Sequence, residues 1–252
     1  MRHRVLRGVL VVCSISVAGC TESPPDPTRD EPTAPNSVHV IVDDEARQAA
    51  VGVGVDLDAA VAAALRKVAK EIDLPMTTVS VAVRPREVIP EVGIGGYTDH
   101  LGDVHVFLDP RRDDLADVLR VWLEPMLAHE AHHAARTVDG PGYGRSLVEA
   151  IVSEGLADAY SEEAFPETPA LPWTQALEPG AICPWWRRAS GERGAYDHEE
   201  WFFGAGRAPR WAGYTLGYAL VRRYLRAHAT SAADSVRTPA RVIVRSADLC
   251  RS

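Results

Sequence analysis

Cysteine is scarce in this chain, and the spacing of its cysteines does not match that of a metal site. Only four of the 252 residues are cysteine. Cys183 and Cys250, the two in the C-terminal half, each lack a second cysteine at the short spacing of zinc ligands. The sequence therefore argues against a cysteine-based zinc site.

Positive charge is also in short supply, and lysine is almost absent. Only Lys67 and Lys70 are lysines, and the other 25 of the 27 basic residues are arginines. Residues 1–19 contain three arginines and no acidic residue, so the rest of the chain carries 24 basic against 35 acidic residues, a formal net charge of −11. This balance argues against a nucleic-acid partner and against electrostatic binding to anionic lipid.

The chain begins with an apolar run that is too short to span a bilayer comfortably. Three arginines lie within the first seven residues, and residues 5–17 are largely apolar. The run ends in the sequence V-A-G-C, whose last residue is Cys20. This order resembles a bacterial lipoprotein signal and predicts cleavage before Cys20 and lipidation of its thiol. An ordinary secretory signal or an uncleaved anchor are the alternatives.

Residues 20–37 are predicted to be a tether, because they contain five prolines and little apolar surface. We therefore divide the chain into a signal (1–19), the tether (20–37) and one domain (38–252), which is long enough for a real core. The expected location is the bacterial cell envelope, with the domain outside the cytoplasm and held to a membrane through Cys20. Cys183 and Cys250 would then remain, and two cysteines of an exported protein pair more often than not.

The first part of the domain predicts a small sheet with a helix packed on it, within an α+β fold. Strand patterns occupy 38–42, 77–83 and 104–108, a helical period covers 57–72, and a glycine-rich turn covers 92–97. Two or three strands are expected.

The second part is predicted to be mainly helical. A helical segment at 113–137 contains Pro125, which predicts either a kink or two helices, the second beginning near Glu124. A capped helix at 146–163 and a long helix at 211–229 follow. Residues 165–210 look irregular, with short helices near Trp173 and Trp185, and 241–245 fits either a helix or a strand.

One motif carries most of the functional information. His129 and His133 stand four residues apart in H-E-x-x-H, so a helix brings both imidazoles to one face, where they can share a tetrahedral Zn²⁺. Glu130 lies between them and is placed to act as general base on water.

A second fragment, S-E-G-L-A-D, supplies carboxylates. Glu154 follows His133 by 21 residues, on a separately capped helix, and is the predicted third ligand. Asp158 lies four residues further on the same face and is expected to accept the free N–H of a ligand histidine. His132 is the rival for His133, and Glu149 is the rival for Glu154.

These two fragments together resemble the gluzincin metallopeptidases, which are thermolysin-like in the E-x-x-x-D of the second helix. The amino-acid sequences of both fragments are also similar to those of a bacterial family of predicted zinc-dependent proteases of undefined substrate. The resemblance implies a zincin-like fold in which His129, His133 and Glu154 bind zinc, Glu130 is the general base and Asp158 orients a histidine. The sequence departs from the thermolysin-like pattern at two positions, Pro125 and Ser153.

Other contributors to the site are predicted less directly. Tyr214 is expected to donate to the developing oxyanion, with His198 as the alternative. Strand 104–108 is either an edge strand that pairs with an extended substrate or an ordinary sheet strand. Five tryptophans line a cleft or pack in the core: Trp173, Trp185, Trp186, Trp201 and Trp211.

The sequence thus predicts a membrane-tethered zinc peptidase that acts on a peptide or protein substrate. Two other functions are open: a catalytically silent lipoprotein scaffold, and a zinc hydrolase of a non-peptide amide.

Overall fold

The computed structural model describes residues 38–74 and 77–250. The strands are β1 (His39–Val42), β2 (Thr78–Val83), β3 (Ile94–Thr98) and β4 (Val104–Leu108). The helices are α1 (Asp44–Gly52), α2 (Leu57–Val68), α3 (Leu115–Asp139), α4 (Leu147–Ala164), α5 (Pro179–Gly191), α6 (Ala212–His228) and α7 (Ala240–Ser246), with a 3₁₀ turn at Pro172–Gln175 and a π turn at Glu199–Phe203. The α+β prediction, a small sheet followed by a mainly helical part, is confirmed.

The sheet has the strand order β1-β2-β4-β3. β1, β2 and β4 run parallel, and β3 is an antiparallel edge strand beside β4. Burial alternates along β2 and β4, so Val79, Val81, Val104 and Val106 face the helices while the residues between them are only partly buried. This alternation is the period of two expected of a sheet with one covered face.

Side-chain caps begin several of the helices where the sequence provides them. Asp43 accepts from the amide of Glu45 at the start of α1, and Asp56 accepts from Ala59 at the start of α2. The predicted capping box is present at α4, where Ser146 and Glu149 bond reciprocally. Glu149 is therefore engaged at the helix end.

Pro125 does not divide the motif helix. The chain is helical from Leu115 to Asp139 with Pro125 inside, so of the two predicted alternatives, a kink or two helices, the second is wrong. Pro125 is buried, and Ser161 of α4 donates to its carbonyl at 2.8 Å. Tertiary packing thus outweighs the lost backbone hydrogen bond.

Other differences arise where tertiary contacts override local sequence. The glycine-rich turn predicted at 92–97 is mostly β3, because Gly95 and Gly96 pair with β4. The helix at 57–72 ends at Val68, and α1 was not predicted. Residues 241–245 belong to helix α7.

Helices α4 and α6 cross in unusually close contact at two glycines. A Cβ on Gly155 would lie 2.2 Å from the Gly217 carbonyl, and a Cβ on Gly217 would lie 2.1 Å from the Ile151 carbonyl oxygen. Only hydrogen at both positions permits this approach. The crossing holds α4, which carries Glu154 and Asp158, firmly against α6.

Substitution of Gly217 by alanine is therefore expected to destabilise the protein by roughly 1–3 kcal/mol or more, since the helices must separate. Gly180→Ala is the matched control, because a Cβ there meets nothing within 4 Å and alanine favours a helix. Denaturant midpoints for the two variants measure the difference. Equal midpoints would show that the crossing is not tight.

A disulfide links α5 to the C-terminal segment. Cys183 on α5 and Cys250 form it, with Cα atoms 4.8 Å apart.

Among the described residues no single helix is long and apolar enough to cross a membrane. Helices α1 and α2 pass that test only as a pair bent by 101°. The signal, Cys20 and the tether lie outside the described residues.

Candidate metal centre

Helices α3 and α4 bring three predicted ligands together. The Nε2 atoms of His129 and His133 are 3.1 Å apart. Glu154 Oε2 lies 3.2 Å from the first nitrogen and 3.4 Å from the second. All three side chains are buried. The spacing of four in α3 and the packing of α4 against it thus converge three donor atoms on one point.

Each histidine also has an oxygen atom close to its other ring nitrogen. Asp158 Oδ1 lies 3.0 Å from His129 Nδ1 and accepts a hydrogen bond from Trp173 Nε1 at 2.9 Å. Ser153 Oγ lies 3.3 Å from His133 Nδ1. A proton on each Nδ1 leaves the Nε2 lone pairs directed toward Glu154, which is the tautomer that a metal requires.

The departure at Ser153 therefore has a local explanation. Ser153 is fully buried, and its hydroxyl lies against the ring of His133. The residue at this position thus contacts a predicted ligand histidine.

Glu130 lies beside the cluster and contacts the edge strand. Thr98 Oγ1, at the end of β3, is 2.9 Å from the Glu130 carboxylate and 2.9 Å from its backbone carbonyl. A Cβ on Gly96 would lie 3.0 Å from the Glu130 side chain, so glycine lets β3 approach α3. Burial raises the pKa of the Glu130 carboxyl, which suits a group that must accept a proton. Thr98 and Gly96 were not predicted, because only the sheet topology brings β3 here.

The donor set fits zinc. Two imidazole nitrogens and one carboxylate leave a fourth tetrahedral position for water. Glu154 Oε2 is buried and receives no hydrogen bond from the described residues, an arrangement that costs free energy unless a cation is bound there. The same three residues form a compact group of possible metal ligands.

Tyr214 lies at a small cavity next to the cluster. Its ring contacts Trp173 and Phe202, with centroids 6.0 and 5.0 Å away. The cavity has a volume of about 40 Å³ and is lined by Ile89, Gly96, Met126, His129, Glu130, Trp173, Phe203, Trp211 and Tyr214. Burial, with the charge of Glu154, raises the pKa of Tyr214, so its hydroxyl keeps a proton to donate.

Tyr143 is a second tyrosine at the site, and sequence reasoning missed it. Its ring centroid is 5.7 Å from that of His133, and its buried hydroxyl has no hydrogen-bond partner among the described residues. Burial and the charge of Glu154 raise its pKa. Its position in the glycine-rich loop between the two motif fragments was the available signal.

The rival assignments separate clearly in space. His132 faces the other side of α3, where its Nε2 lies 3.3 Å from the Ala232 carbonyl. Glu149 caps α4, and His198 stacks on Phe202, with its ring 6.2 Å from that of Tyr143. Strand 104–108 is β4, an inner strand, so the edge-strand interpretation of it is wrong and the edge beside the cluster is β3. Of the five tryptophans only Trp173 and Trp211 line the cavity.

Comparison with known proteins identifies a family that covers the candidate metal centre. Residues 57–245 match the family described as "Predicted Zn-dependent protease (DUF2268)". The chain is also similar to "Uncharacterized protein YjaZ" of Bacillus subtilis (strain 168), 27% identical over 178 residues, a match that covers 67% of this chain and 65% of that protein. Because the family match covers most of the chain and includes the whole His-His-Glu cluster, the chain belongs to the predicted Zn-dependent protease family DUF2268.

Proposed function

We propose that this chain is a zinc-dependent peptidase in which His129, His133 and Glu154 bind the metal and Glu130 is the general base. The observation that carries the proposal is the buried convergence of two imidazole nitrogens and a carboxylate within 3.4 Å of one another, with a second carboxylate on the adjacent residue of α3. The family's description points to the same chemistry.

The protein side chains have separate tasks in this mechanism. When bound, zinc would act as a Lewis acid and lower the pKa of a coordinated water toward neutrality. Glu130 accepts a proton from the attacking water and returns it to the leaving amine, and Thr98 holds its carboxylate. Tyr143 and Tyr214 donate to the oxygen on which negative charge develops. Asp158 and Ser153 keep the two histidines in the ligand tautomer.

The cavity next to Glu130 is proposed to take an apolar substrate side chain. It is lined mainly by Ile89, Met126 and aromatic rings, so burial of an apolar group there is favourable. Its volume of about 40 Å³ admits only a few heavy atoms, since one water needs roughly 10–15 Å³ by the same measure.

The site of action is proposed to be the cell envelope. The lipoprotein-like residues 1–20 and the proline-rich residues 20–37 support a lipid-anchored domain outside the cytoplasm. A peptide or protein of that compartment would be the substrate.

Incubation of the purified chain with a diverse peptide mixture, with and without a zinc chelator, tests this function. Cleavage that the chelator abolishes and added zinc restores is expected. Zinc binding without any peptide cleavage would favour a silent scaffold, and hydrolysis confined to non-peptide amides would favour the other zinc hydrolase.

Replacement of Asp158 by asparagine is expected to weaken zinc binding about 10- to 100-fold, because the partner of His129 loses its charge. Competition with a fluorescent chelator measures the affinity. Thermal unfolding of the zinc-free variant separates this effect from misfolding, and unchanged affinity would contradict the role of Asp158.

Substitution of Tyr143 by phenylalanine is expected to lower kcat by roughly 10²- to 10³-fold with a smaller change in KM, since the lost donor acts mainly in the transition state. Tyr214→Phe, measured in parallel, shows which tyrosine is the main donor. If neither variant alters kcat, oxyanion stabilisation by tyrosine is excluded.

A further inference from the structure

Another cavity is lined in part by the loop that follows α3. It has a volume of about 130 Å³ and is lined by Arg136, Pro141, Gly142, Gly144, Glu149, Pro239, Ala240 and Arg241. None of these residues belongs to the proposed metal centre.

Arg136, which lines this cavity, carries a buried positive charge. The residue is 2% exposed, and its Nη1 donates to the carbonyls of Val236 and Thr238 at 2.8 and 3.0 Å. Its buried Nε has no hydrogen-bond partner, and within the described residues no carboxylate forms an ion pair with it. A buried guanidinium without a paired anion is costly.

One amino group of the guanidinium remains available. Nη1 is tied to the two carbonyls and Nε is sealed from solvent, whereas Nη2 is neither sealed nor hydrogen-bonded within the described residues. Its charged N–H groups can donate to an oxygen of a carboxylate or a phosphate.

The rest of the lining favours a small anion. Arg241 is exposed at the same cavity and adds a second positive charge. Glu149 is the one carboxylate of the lining, and its Oε2 already accepts from the amides of Arg145 and Ser146 and from the Ser146 hydroxyl. The net formal charge of the lining is therefore +1.

We propose that this cavity is a binding site for a small oxyanion, a carboxylate or a phosphate, held by the Nη2 group of Arg136 and by Arg241. The site lies under the loop that carries Tyr143: the amides of Gly140 and Gly142 both donate to the Arg136 carbonyl, at 3.1 and 2.9 Å. An anion bound there stabilises this loop.

Thermal unfolding and calorimetric titration of the full chain with sodium acetate and with inorganic phosphate, against chloride at equal ionic strength, test the proposal. A saturable rise in Tm with at least one oxyanion is expected. Arg241→Gln should weaken the binding roughly tenfold, whereas Arg245→Gln, on the same helix but outside the cavity, should leave it unchanged.

Arg136→Lys provides the stereochemical test, because lysine keeps the charge but lacks the planar spread of donors with which Arg136 can hold the two carbonyls and an anion together. This variant should bind the anion more weakly than the wild type. If that variant does not fold, Arg241→Gln still decides. No saturable effect beyond chloride, or equal binding by Arg241→Gln and the wild type, would overturn the proposal and leave water as the occupant of the cavity.

Discussion

Replacement of Glu130 by glutamine is expected to reduce kcat for peptide hydrolysis by about 10²- to 10⁴-fold while zinc remains bound. The amide keeps the shape of the side chain and its contact with Thr98 at 2.9 Å, but it cannot accept a proton from water. The ligand cluster is untouched, because the two histidines and Glu154 converge without Glu130. Steady-state kinetics and metal analysis of the same preparation measure both results.

Glu124→Gln is the matched control for this change. Glu124 lies on the same helix but does not line the cavity beside the metal centre, so its variant should retain full activity. Unchanged hydrolysis by Glu130→Gln would contradict the general-base assignment. Loss of zinc together with activity would mean that Glu130 serves the metal site instead.

Replacement of Glu154 by glutamine is expected to abolish stoichiometric zinc binding, and hydrolysis with it. The carboxylate is buried between the two histidines, and its negative charge offsets the charge of the cation. The loss of affinity should exceed the roughly 10- to 100-fold expected for residues that only support a ligand. Zinc content after dialysis against a weak chelator measures it.

Glu162→Gln controls for the loss of a carboxylate on the same helix. Glu162 is exposed and interacts with Tyr218 and Arg222, away from the metal centre. It should bind zinc like the wild type. Retention of zinc by Glu154→Gln would require another ligand set.

The candidate metal centre was largely predictable, because the sequence features that define it are local. The spacing of His129 and His133 defines one helical face, and the capping box at Ser146 starts α4 in a register that directs Glu154 and Asp158 to the same side. The close crossing at Gly155 and Gly217 was not predicted, yet it secures that helix. Local periodicity could indicate the faces but not the distances.

The parts that escaped prediction depend on long-range contacts. Thr98 reaches Glu130 only because β3 lies at the edge of the sheet beside α3, and the sequence of β3 resembles a turn through its two glycines. Tyr143 reaches His133 from a loop whose conformation no periodic pattern specifies. The two-helix alternative at Pro125 failed for the same reason, since the packing of this buried residue outweighs the tendency of proline to interrupt a helix.

X-ray absorption at the zinc edge of the purified full chain tests the central claim most directly. We predict one zinc per chain with two imidazole ligands and only nitrogen or oxygen neighbours at about 2.0–2.2 Å. The absence of stoichiometric zinc, or a sulfur shell at about 2.3 Å, would contradict a site formed by His129, His133 and Glu154.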